Sequence, residues 1–372
     1  MFKSLSPIHL VLSLFYFAYF SLVGVYVIFM PLALEGFGYD KIETGIIYAA
    51  APFMRFLLPF IFKYYIELTH KIYILALFMT FLSSLIFTVS VHSFYSHLIA
   101  NLLFGASMGV TLPFVETISL QLLSKKLYGK IRMWGSIGFI MISLSLGQLE
   151  PRPMSTIYIL VLTTFSTLIV GYFVLKYDQH QKSKIENDDA NFSLKRYWAF
   201  WTSIFLMQVA FGGFYTFFSL YEGDHGVNQQ FISYLWSFAV ICEIVMLYFQ
   251  GPLLEKNLLT ILKVATLFTV GRWLLLYAFP DSLGMTFFSQ SIHAISFALY
   301  HTASITYVFT LYTQKRLAQQ FYLGISFGLG GSVGSYLGGY IYGDNLFLIE
   351  ALLTLGAFIM LFVHDRRKRA HT

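Results

Sequence analysis

The chain has 372 residues, 57% of them hydrophobic and 11% charged, with a mean hydropathy of +0.69 and a net charge of +6. A soluble globular protein carries about 45–50% apolar and about 25% charged residues. This chain lacks the polar side chains to cover a soluble surface, so it is expected to be integral to a membrane with the lipid bilayer as its solvent. The positive charge does not point to nucleic acid, because it is dispersed between apolar runs. The single cysteine, Cys242, lies inside such a run, so no intrachain disulfide is available and redox compartment is not legible.

The first apolar run extends from His9 to Met30 and closes at Pro31. A signal peptide has an apolar core of about 7–15 residues and a small-residue cleavage site. This run is longer and lacks a clear site, and is read as helix 1. Hydropathy places further spans over 43–65, 72–91, 96–123, 130–149, 156–176, 198–220, 231–252, 258–279, 283–312, 318–342 and 346–363, twelve in all. Pro52 and Pro59 interrupt the second, and repeated glycines the eleventh. Such breaks are tolerated where neighbouring helices or water satisfy the freed backbone.

Charge orients these spans. With the N-terminus inside, the loops predicted to be cytoplasmic hold all of the 24 basic residues except Lys41, Arg55, Arg152 and Arg272. The positive-inside rule is met throughout, and changing the span count by one would scramble the alternation. Both termini are therefore expected to be cytoplasmic. The longest polar stretch, Asp178 to Arg196, separates six spans from six and reads as a cytoplasmic linker over 177–196 between an N-terminal bundle, 1–176, and a C-terminal bundle, 197–372, with a basic tail.

An internal repeat supports this division. Gly24 to Gly38 resembles Gly213 to Gly226, and an offset of about 188 residues carries Gly38 onto Gly226, Arg55 onto Glu243 and Glu67 onto Glu255. Two six-helix halves related by a parallel repeat describe the major facilitator architecture, whose substrate site lies near the midplane between the halves. The expected fold class is an all-α membrane protein of twelve transmembrane helices in two six-helix bundles with pseudo-twofold symmetry.

Tyr128-Gly-Lys-Ile-Arg-Met-Trp-Gly-Ser136 at the junction of helices 4 and 5, Tyr234 through Glu243, Gly271-Arg-Trp273, and Gln290-Ser-Ile-His293 with His301 carry a family resemblance over essentially the whole chain. The sequence resembles the major facilitator subgroup that contains the lactose permease and the phenylpropionate permease-like transporters. The resemblance implies a proton-coupled symporter of a small organic solute, and, from the family, a monomer in the bacterial cytoplasmic (inner) membrane. It implies that an acidic residue on helix 8, an arginine on helix 9 and a histidine on helix 10 take part in coupling, which by matching position are Glu243, Arg272 and His293. Two departures stand out. The general facilitator motif between helices 2 and 3 is missing, with Glu67 in the acid's neighbourhood, and the carboxylate that follows the lactose permease's helix-10 histidine has no counterpart before His301.

A charge at the centre of a membrane helix costs about 2.5–3.5 kcal/mol on insertion scales, so a chain that keeps one turns it inward. Glu243 and Arg272 either form a permanent buried pair or exchange partners as the protein changes state, because burial raises and an arginine lowers a carboxylate's proton affinity. His293 and His301 are proton carriers or interhelical hydrogen-bond partners, spaced along one drifting stripe with Phe297. Arg55 is the candidate for holding an anionic substrate, or else pairs with Glu116 on helix 4 or reaches toward a wet surface; Glu116, one turn after Pro113, is a further substrate-site candidate that binds a cation or proton or neutralises Arg55. Tyr19, Gln208 and Tyr215 are the preferred further substrate contacts. Arg132, Trp134 and Gly135 lie in the cytoplasmic motif, where Arg132 is expected to tether helix ends in one state of the cycle. No metal-ligand cluster, nucleophile motif or phosphate loop is present in the sequence, so no metal, cofactor or enzymatic reaction is expected, and no nucleic-acid partner. The leading reading is import of a small aromatic or other carboxylate with protons. Competing readings are a sugar or nucleoside symporter, a drug/proton antiporter, and a ligand-binding membrane sensor.

Overall fold

The computed structural model describes residues 6–64, 69–178 and 192–370, and every regular element among them is helical. Glu67 and most of the expected linker lie outside the described residues. Ten helices are long and apolar enough to cross a membrane. In chain order these are α1 (Pro7–Gly36), α2 (Lys41–Phe62), α3 (His70–Ser90), α4 (Phe94–Leu122), α6 (Pro153–Tyr177), α7 (Lys195–Asp224), α8 (Gln229–Phe249), α9 (Leu258–Ala278), α10 (Leu283–Leu311) and α12 (Leu346–Arg369). Two more occupy the remaining expected positions. One is α5 (Lys125–Leu149), whose first two turns carry Lys130 and Arg132. The other, α11, joins Lys315–Leu323, Gly324–Gly330 and Gly331–Ile341, its middle segment being π-helical.

Three prolines, two in α2 and one in α4, lie inside helices without ending them. Pro52 and Pro59 fall within α2, and Pro113 within α4. Each removes one backbone donor and crowds the preceding turn. Large apolar side chains such as Leu75, Val89, Tyr158, Leu162 and Tyr248 remain exposed. On a water-soluble protein such patches mark interaction sites; on membrane-spanning helices they are the surface offered to lipid.

The described residues divide into two compact units, Met1–Lys182 with Asn228–Ser237, and Ser183–Val227 with Phe238–Thr372. Glycines set the helix approaches inside each. In the first, a Cβ at Gly138 on α5 would overlap the backbone of Phe17 on α1, and one at Gly105 on α4 would overlap the backbone of Ala51 on α2. Ser84 and Thr164 bridge α3 and α6 at 2.7 Å. The first turns of α8 belong to this unit: Ser143 on α5 donates to the Ser233 carbonyl at 3.1 Å, and Gly147 leaves room for the Ser233 side chain. In the second unit, α7 and α11 meet where a Cβ at Gly334 would overlap the carbonyl oxygen of Val209. Ser203 on α7 donates to Ala357 on α12 at 2.8 Å. Small residues permitting such backbone contact are the usual adhesive of membrane helices.

The internal repeat is visible in local geometry. Gly38 and Gly226 both adopt left-handed backbone, at φ 93° and 81°, after α1 and α7. Two residues later, Asp40 accepts from the Glu43 N–H at 2.7 Å and Asn228 accepts from the Phe231 N–H at 2.9 Å, capping α2 and α8. The same helix–glycine–cap device therefore recurs at the offset found in the sequence.

Candidate functional site

Two clusters of charged and aromatic groups stand out, one in each unit. In the first unit, Arg132 on α5 points back toward α1 and α4. Its guanidinium lies 3.9 Å from the centroid of Phe20 and 5.4 Å from that of Tyr16, and its Nε is 3.6 Å from Glu116 Oε1. Gly135, one turn further on, makes the approach possible, since a Cβ there would stand 2.7 Å from the Phe20 ring and 2.8 Å from the Arg132 guanidinium. Tyr16 donates to Ser119 Oγ at 3.0 Å, and Tyr19 donates to the Met108 carbonyl at 3.3 Å while stacking on Phe15. Glu116 therefore pairs with Arg132 rather than with Arg55. Arg55 is exposed on α2 with its stem against Gly109, and makes no hydrogen bond or ion pair among the described residues. Trp134 of the same motif is turned outward and is 40% exposed.

In the second unit the centre is Arg272, which is fully buried on α9. Its guanidinium donates to His293 Nδ1 at 2.9 Å, Gln290 Oε1 at 2.9 Å and Ser296 Oγ at 3.2 Å, all on α10. Aromatic faces close the other sides, with the charge 4.4 Å from the Phe214 centroid and 4.6 Å from that of Trp273. Cation–π contact of this kind is worth about 2 kcal/mol when desolvated. A guanidinium can only donate, so His293 Nδ1 accepts and the ring proton sits on Nε2. That nitrogen faces Glu243 on α8, 3.9 Å from Oε2. The gap is too long for a hydrogen bond.

A stack of rings continues along α10. Phe297 lies parallel to His293 at 5.1 Å and to His301 at 6.1 Å, with interplanar angles of 6° and 10°. The stripe expected at 293, 297 and 301 is thus a physical column. It passes through the π-helical turn Ala294–Leu299; such turns are frequent at functional sites. His301 Nδ1 pairs with the Tyr322 hydroxyl on α11 at 3.1 Å. Tyr215 packs among Phe211, Phe214 and Phe297, and Gln208 is buried on α7 where Gly330 of α11 makes close contact.

The structure thus brings Glu243, Arg272 and His293 together, with Tyr215 packed beside the same rings and His301 at the far end of the stack. Arg132 and Glu116 meet over helix 1 near Tyr16. Two buried carboxylates escaped the sequence reading. Glu222 near the end of α7 and Glu350 on α12 are each 1% exposed. Glu350 carried the same signal as Glu243, a lone acid in an apolar run, but lay near the span's start where an interfacial position is the ordinary explanation.

A family model, the MFS_1 like family, matches residues 9–350. The chain belongs to that family. It is therefore a multi-pass membrane protein and a transporter of the major facilitator type, not an enzyme. It is 24% identical over 367 residues to the "Probable 3-phenylpropionic acid transporter" of Escherichia coli (strain K12), covering 94% of this chain and 96% of that protein. Identity is also 24%, over 285 residues, to the "Uncharacterized transporter YwbF" of Bacillus subtilis (strain 168), covering 72% and 71%. Its fold is similar to the crystal structure of a mutant of the nucleoside transporter NupG, with TM-score 0.79 and 17% identity over 96% of this chain and 100% of that chain.

Proposed function

We propose that this family member is a proton-coupled symporter that imports a small aromatic or other small carboxylate by alternating access. The observation that carries the proposal is the line from Arg272 through His293 to Glu243. A symporter needs a group whose proton affinity changes with conformation. Glu243 fits, because moving it relative to Arg272 and His293 exchanges a desolvated environment for a cationic one. In this reading His293 passes or steadies the proton, and His301 with its Tyr322 partner extends the column. The membrane potential supplies about 2.3 kcal/mol per charge per 100 mV, plus any pH difference.

Two facts support an anionic aromatic substrate. Arg55 is a cation on a membrane helix without an ion partner among the described residues, and a full-length relative carries the name of a phenylpropionic acid transporter. Arg55 receives the carboxylate, Tyr19, Tyr215 and Gln208 contact the solute, and Glu116, held by Arg132, completes the polar lining near Tyr16. The remaining frame follows the same reading: twelve spans, bundles over 1–176 and 197–372 joined by 177–196, both termini cytoplasmic, and a monomer in the bacterial cytoplasmic membrane. Arg132, Trp134 and Gly135 act as a cytoplasmic gate.

The test is solute-driven proton movement in proteoliposomes, using aromatic carboxylates, sugars and nucleosides in parallel. External alkalinisation with an aromatic carboxylate, lost in Glu243→Gln while counterflow exchange survives, is the expected result. Response to a nucleoside or sugar alone would reassign the substrate. Exchange without proton movement would return Glu243 to a structural role.

A further inference from the structure

Glu350 has no place in the mechanism above, yet its surroundings are specific. Neither carboxylate oxygen has a hydrogen-bond partner among the described residues. Oε1 occupies the space that a side chain at residue 213 would fill, so Gly213 on α7 makes room for it. The next residue on α7, Phe214, supplies the ring beneath Arg272. Helix α12 turns the same face to α9: Trp273 donates to Thr354 Oγ1 at 3.1 Å and stacks on Phe347 at 5.9 Å. Phe347, Glu350 and Thr354 follow helical spacing along that face.

Charge accounting connects the two groups. Arg272 places its terminal nitrogens on neutral acceptors, and its Nε has no hydrogen-bond partner among the described residues. A fully buried guanidinium stays charged and calls for a counter-charge, and a buried carboxylate with no donor is kept ionised only by a nearby cation. Both groups pack against consecutive residues of α7, Glu350 against Gly213 and Arg272 against Phe214. Other ionisable groups around Arg272 are Tyr215 on α7 and His293 on α10. Glu243 stands beyond His293 and is 22% exposed, so it is the carboxylate with access to a changing environment.

We propose that Glu350 is the fixed counter-charge of Arg272, a positioning residue that neutralises the guanidinium inside the packing of α7, α9 and α12 and so leaves Glu243 free to gain and lose a proton. The pairing stands on geometry and charge; the consequence for Glu243 rests on the symport reading.

A double-mutant cycle on the purified full chain tests the pairing without any transport. Glu350→Gln and Arg272→Met should each lower the thermal midpoint by roughly 6 °C or more, because each strands a buried charge. The double variant should fall by clearly less than the sum of the two single falls, since the α10 acceptors are stranded in both Arg272 variants but the second buried charge is stranded only once. A double fall equal to that sum, or three midpoints equal to wild type, overturns the pairing. In proteoliposomes, Glu350→Gln should move fewer protons per solute than wild type, while Glu350→Asp retains the wild-type ratio. An unchanged ratio in Glu350→Gln, or equal loss in both variants, overturns the positioning role. A wild type that moves no protons would sink the symport reading instead, and the thermal cycle would still decide the pair.

Discussion

Replacing Arg272 with lysine keeps the positive charge and removes the fork. In the wild type one planar group reaches three acceptors spread along α10, from Gln290 to Ser296. An ammonium on a single stem reaches one of them. Two buried acceptors then lose a charged donor, at about 1.5–3 kcal/mol each, which totals roughly 3–6 kcal/mol. The flat stacking on Phe214 and Trp273 is also lost. For a unit of this size about 2–4 °C of midpoint accompanies each kcal/mol, so even the lower bound predicts a fall of roughly 6 °C. Thermal unfolding in detergent, followed by the emission of the neighbouring Trp273 and the other tryptophans, measures it. A midpoint within about 2 °C of wild type would show that charge alone holds α9 to α10 and would refute the argument from geometry.

Three further outcomes follow from the same structure. Gly334→Ala should destabilise the second unit by about 1–3 kcal/mol, because its Cβ would overlap the Val209 carbonyl oxygen and stand 2.9 Å from the Gly212 Cα, and backbone cannot swing aside; a wild-type midpoint would contradict that contact. Glu116→Gln should change stability by less than about 1 kcal/mol, since the ion pair with Arg132 spans 3.6 Å with both side chains about a third exposed; its effect should appear in solute affinity rather than in the melting curve. Arg55→Gln should leave the folded yield unchanged, as the side chain makes no ion pair among the described residues, and should weaken uptake of a carboxylate at least about tenfold while sparing a neutral analogue, read by competition in counterflow. Equal loss for both solutes would remove Arg55 from substrate recognition.

Much of this protein was legible in one dimension. Apolar runs long enough to cross a bilayer are a local property of the chain, and the ten apolar helices fall where hydropathy put them. The Gly38 and Gly226 turns with their Asp40 and Asn228 caps are equally local, fixed by a glycine that tolerates positive φ and a short polar side chain beside it. Isolated charges in apolar runs announced Arg55, Glu116, Glu243 and Arg272 because the bilayer penalises them wherever they end up. Partnership was decided only in three dimensions. Glu116 meets Arg132 instead of Arg55 because Gly135 lets the α5 guanidinium fold onto Phe20. Glu350 enters the core because Gly213 leaves it space, and Arg272 takes acceptors from α10 and rings from α7 that lie far from it in sequence. Hydropathy records what each residue costs in lipid; which group repays that cost depends on helix packing, and no single segment carries that information.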